Sequence, residues 1–140
     1  MEITANTVQT VAENGNVLFT NTSVAGSACI VHRQGSGLVT LRGLTNGQCR
    51  ARFRVTFGGN VALPTGGTAG PISVAIAING EPVQTSTMIV TPAAVNEYFN
   101  VYRSMFLDIP SGCCSQISVE NLTGADILVQ NANLTIERVA

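Results

Sequence analysis

The chain has 140 residues, enough for one domain, with 45% hydrophobic residues but only 11% charged and a formal net charge of −1. Ordinary globular domains carry about 25% charged residues. The near-neutral balance excludes the basic footprint of a nucleic-acid binder, and no apolar run approaches the ~18 residues of a membrane helix.

All seven basic residues are Arg, and Lys, the usual guard of an exposed sheet edge, is absent. Either the edges are covered by partners, or they are guarded by Pro and Gly instead, or the bias is incidental. A surface this poor in charge is weakly protected against association, which favours a subunit of an assembly. Met1-Glu-Ile-Thr-Ala-Asn6 has neither the basic start nor the apolar run of a signal peptide, so synthesis in the cytoplasm is the expectation.

Residues 1–14 are polar and read as an N-terminal arm ahead of a domain spanning 15–140. Strands then follow at 17–21, 28–33, 37–44, 49–63, 71–78, 83–91, 97–109, 115–121, 127–130 and 133–139. About ten short strands punctuated by Gly, Pro and Asn form the pattern of an all-β sandwich or barrel. In the segment 49–57, Ala51, Phe53, Val55 and Phe57 alternate with Arg50, Arg52, Arg54 and Thr56, which places the first set in the core. The arginine row is either a solvated face or an ion-pairing surface toward a neighbouring subunit.

The next strand puts Ile72, Val74, Ile76 and Ile78 inward and Ser73, Ala75 and Ala77 outward, then runs into Asn79-Gly80, a two-residue hairpin signal. Outward Ala and Ser would let another surface approach closely. The loops 64–70 and 91–96 are candidate ligand loops. In 97–109, Phe99, Val101, Met105 and Leu107 alternate with Tyr98, Tyr102 and Phe106, so both faces carry large apolar groups. One sandwich covers only one face of a strand. The second face is a protein contact, unless a bulge switches sides. Leu134 and Ile136 complete the expected core from the last strand.

Candidate chemistry is sparse. His32 is the one histidine, and it reads as structural. Cys29, Cys49, Cys113 and Cys114 lack the spacing of a zinc or thioredoxin-type site. Free thiols, one or two disulfides (Cys29–Cys49 being one option) or a metal remain open. Asn21, Asn121 and Asn133 begin Asn-x-Ser/Thr triplets, read as coincidental. No nucleophile elbow and no acidic pair suited to glycoside hydrolysis or calcium is present, so no enzyme and no cofactor are expected.

Ala75-Ile-Ala-Ile-Asn-Gly-Glu-Pro-Val83 and Thr85-Ser-Thr87, with Ile109-Pro-Ser-Gly112, Ile117-Ser-Val-Glu-Asn121 and 127–139, resemble the bacterial tumour-necrosis-factor/complement-like jelly rolls that cap collagen-like spore-surface glycoproteins. The resemblance covers roughly residues 15–140. It implies a ten-strand, two-sheet antiparallel jelly roll that forms a homotrimer with apolar and aromatic residues at its axis. On that basis Tyr98, Tyr102, Phe106, Ala75 and Ala77 are the expected trimer interface. No Gly-X-Y stalk precedes the domain. A free-standing trimer with a short arm is similar to a bacteriophage capsid decoration protein on the virion surface, the arm docking on a major capsid or other shell protein. The alternative is a spore- or cell-surface adhesion module recognising glycan or protein ligands.

Overall fold

The computed structural model describes residues 1–43 and 49–140, the side chain of Cys113 excepted. Its strands are β1 (Glu2–Ala5), β2 (Gln9–Val11), β3 (Asn21–Val24), β4 (Ile30–His32), β5 (Val39–Gly43), β6 (Arg50–Ala62), β7 (Ile72–Ile78), β8 (Glu81–Pro82), β9 (Met88–Val90), β10 (Phe99–Pro110), β11 (Gly112–Asn121) and β12 (Ile127–Arg138). Every pairing is antiparallel. The first sheet runs β10-β6-β12-β1-β3, with β2 also on β12. The second runs β4-β5-β11-β7-β8, with β9 also on β7. Two six-stranded sheets face one another, and the architecture is an all-β antiparallel sandwich.

Alternation builds the core. Phe53, Val55 and Phe57 from β6 meet Val74 and Ile76 from β7 and Leu134 and Ile136 from β12, all essentially without solvent exposure. Asn79 (φ 51°) and Gly80 (φ 84°) make the tight turn from β7 to β8, with Ile78 opposite Glu81. Positive φ at both turn positions is what an Asn-Gly pair tolerates.

Residues 1–14 are not an arm. Glu2–Ala5 pair with Thr135–Ala132, Gln9–Val11 pair with Val129–Ile127, and the Met1 ammonium donates to the Ile136 carbonyl at 2.7 Å. Ile3, Ala5 and Val11 fill the core. These residues read as polar because only every second side chain is apolar, which is the signature of a half-buried strand.

Three other expectations shift. The segment 17–21 supplies Val17 and Phe19 to the core, yet the ladder forms later, at β3. Residues 83–91 do not form one strand, because Gln84–Ser86 make a 3-10 turn before β9. There the buried Ser86 hydroxyl accepts from Ile76 N–H at 2.9 Å and donates to the Val83 carbonyl at 2.7 Å, replacing a ladder bond by a side-chain bond. Finally, 127–130 and 133–139 are a single strand. A bulge between Gln130 and Asn133, with Asn131 at φ 54°, absorbs the interruption. Leu44, the expected end of strand 37–44, lies outside the described residues.

Candidate ligand-binding surface

The outer face of the first sheet is where the arginine row lies, and two carboxylates of the chain pair with its three guanidinium groups. Arg52 meets Asp108 through Nε at 2.8 Å and Nη2 at 3.2 Å, Arg50 approaches the same carboxylate at 3.5 Å, and Arg54 reaches Glu137 at 3.4 Å. The hydrogen bond from Arg52 holds the Asp108 carboxyl below its usual range, and the same bond raises the Arg52 guanidinium above its own. Arg54 also lies 5.0 Å from the centre of the Phe106 ring, a cation–π contact. Between these charged groups, Thr56 and Ser104 share a hydrogen bond of 2.9 Å.

Above this ladder stands an aromatic row. Tyr98, just ahead of the edge strand β10, and Tyr102 and Phe106 within it recur every fourth residue, so all three project from one side, 39%, 64% and 54% exposed. Ala75 and Ala77 do not belong with them. They lie on β7 in the other sheet and are fully buried. Glu120 and Ser118 stand opposite them on β11, and Pro82 stands opposite Ala77 on β8. Cross-strand neighbours on one face are in contact range, so side chains taller than a methyl shut these two alanines off.

The two candidate ligand loops come together at one end of the sandwich. Asn96 donates from its side chain to Thr65 Oγ1 at 2.7 Å, and from its backbone to the Leu63 carbonyl at 2.8 Å. Asn96 sits at φ 60° to do so, a conformation Asn tolerates better than most residues. The joined surface exposes Thr65–Ala69, Ala93, Ala94, Asn96 and Glu97, with Tyr98 directly beside it.

From Tyr98 the chain runs down β10 into a groove that sequence reasoning did not find. Thr87, Met88, Ile89 and Val90 line one side and Asn100, Val101, Tyr102 and Arg103 the other, around a volume of about 300 Å³. The groove lies between edge strands of different sheets, a juxtaposition no local pattern encodes. One signal was available: Arg103 occupies an inward position of the alternation, opposite the buried Phe57.

His32 has a structural setting. One ring nitrogen contacts the Ser36 carbonyl at 2.9 Å, and the ring meets Phe19 edge-on. Cys29 and Cys49 are free and Cys114 is disulfide-bonded, so the Cys29–Cys49 pairing does not form. Among the described residues no group of three His, Cys, Asp or Glu side chains converges as a metal site would, and no helix is long and apolar enough to cross a membrane. Asn121 is fully buried with its amide against the Val11, Ala12 and Ala125 carbonyls, so its triplet is closed to glycosylation in the fold.

No protein-family model matches the chain, and no curated protein sequence matches it. Among solved structures, the globular domain of a zebrafish complement 1qA protein aligns over 96% of this chain and 93% of its own, with a TM-score of 0.63 and 12% identity. The fold is therefore a jelly roll like that of this globular domain, and identity this low speaks for fold alone. The C-terminal domain of the sugar-binding protein EclA (15% identity, 95% and 79% covered, TM-score 0.44) resembles it more loosely. So does a family 35 carbohydrate-binding module from Cellvibrio japonicus (13%, 100% and 99%, TM-score 0.41). Scores this low bear on neither ligand nor function.

Proposed function

We propose that this chain is a non-catalytic, surface-displayed binding domain that recognises glycans at the loop end formed by 64–70 and 91–96. The observation that carries the reading is the Asn96 clamp, which fastens two exposed loops into one surface beside an exposed tyrosine. The exposed loop residues offer the hydroxyls of Thr65 and Thr68 and the amide of Asn96, and Glu97 is the one carboxylate in the two loops and the residues joining them to Tyr98. An aromatic face for sugar C–H groups, with neutral donors and acceptors around it, suits a polyhydroxylated ligand better than a charged one. The capsid-decoration reading depended on a free arm as its anchor, and Glu2–Ala5 and Gln9–Val11 of that segment are paired in the first sheet.

The working form in this proposal is a homotrimer in which copies cover the outer face around Phe106, leaving Tyr102 open to the groove beside β9. With Arg52 and Arg54 already ion-paired inside the chain, burying that face against a copy leaves those two charges partnered. The ligand reading is tested on an array of immobilised glycans, with hits re-measured on Tyr98→Ala. Binding that weakens about tenfold or more supports it. An array without hits, or hits indifferent to Tyr98 and to substitutions in both loops, removes it.

A further inference from the structure

The cation in the β9–β10 groove is treated differently from those on the neighbouring face. Arg52 and Arg54 are matched by carboxylates. Arg103 is exposed, and no carboxylate lines the groove it occupies. It also stands at a position where the alternation asks for an apolar side chain, between Val101, which is buried, and Met105, which packs on the core. A guanidinium there gives up a core contact. Its surroundings are an exposed tyrosine, an asparagine, a threonine and the apolar residues Met88, Ile89, Val90 and Val101.

An inward charge on an edge strand also discourages strand-to-strand association. That role argues against an extended peptide adding to β10, and Pro110, which lacks an N–H, closes the end of that edge. A volume of about 300 Å³ is at the small end for ligand pockets, the scale of one sugar ring rather than a peptide strand.

We propose that the groove takes a carboxylate-bearing sugar of the uronic-acid type. Arg103 receives the carboxylate, the Tyr102 ring lies against the sugar face, and the Asn100 Oδ1 and Thr87 Oγ1 oxygens accept from hydroxyls, since their own donors are held by Gly59, Asn60 and Gln84. Arginine pairs with carboxylates through two parallel N–H···O bonds, a geometry lysine cannot reproduce. The proposal rests on the glycan reading above and adds the ligand's charge and the point where it is read. Tyr98 just precedes β10, and Asn100 and Tyr102 follow on the same side of the chain, so a saccharide held at the loop end continues into the groove.

Calorimetric titration of the full chain with a glucuronic-acid-terminated disaccharide and its glucose-terminated counterpart tests this, with sodium acetate and an acidic peptide as further ligands. The acidic disaccharide is expected to bind, more weakly as salt rises. The neutral one should bind about ten- to hundredfold more weakly, and acetate and the peptide should not compete. Arg103→Gln should abolish the preference and Arg103→Lys should restore part of it, both with unchanged melting temperature. If Arg103→Gln aggregates, the Arg103→Lys loss and a Tyr102→Ala loss on the acidic sugar alone carry the test. Equal affinity for the two disaccharides, no heat with either, competition by the peptide, or an Arg103→Lys variant with undiminished preference overturns it. Array hits that depend on Tyr98 but ignore Arg103 overturn this inference and leave the glycan reading standing.

Discussion

On the outer face of the first sheet Tyr102 and Phe106 stand clear of their neighbours, while on the outer face of the second Ala75 and Ala77 are sealed. Both pairs arise from the same two-residue alternation. What separates them is the height of the surrounding side chains: a ring on an edge strand rises above Thr, Ser and Asn, and a methyl on a central strand sinks below Glu120 and Pro82. A row of small outward residues is therefore no docking surface by itself, and a row of large ones at an edge is the better indication.

The core beneath both faces sets the scale. Phe53→Ala, on β6 between Leu107 and Arg138, should cost about 3–5 kcal/mol in denaturant unfolding. On the sealed face, Ala77→Leu should overfill the space and cost about 1–3 kcal/mol. A cost near zero there would mean that the face is open, and the contrast between the sheets would dissolve. On the open face, Phe106→Asp should change unfolding stability by no more than about 1 kcal/mol, since only an exposed cation–π contact is lost. In light scattering it should nonetheless shift a trimer to monomers, and a trimer that survives the substitution removes Phe106 from the interface.

The smallest effect belongs to Asp108. Its carboxyl is held below the usual range when folded, so its contribution to stability is present above the unfolded value near 3.8. That contribution is lost as pH falls through the folded value. Asp108→Asn should flatten acid unfolding in that window only, and only slightly, because the pair is exposed.

The core was legible because strand alternation is a local property. Phe53, Val55 and Phe57 could be assigned inward from nine residues of sequence, and the Asn79-Gly80 turn from two. Ala75 and Ala77 were misread because their burial depends on β11 and β8, which sequence spacing does not place beside them. The residues 83–91 escaped for a related reason. Ser86 reaches a backbone amide ten positions away, and a hydroxyl gives no advance sign of where it will bond. At the site, the two loops were recognisable by composition, but their union through Asn96 and the groove beyond them are products of tertiary placement.

The pairing of β1 with β12 bears on how such a chain reaches its native state. Glu2 finds one partner in Val24 and another in Thr135, over 130 positions along, so the strand can pair with β3 early while its second edge stays open until β12 has been made. Closure of so long a loop makes folding slow. In the interval, the edge that β12 will take is open to other nascent copies. Crowded expression should accordingly yield aggregates that dilution before the last strand is made would prevent.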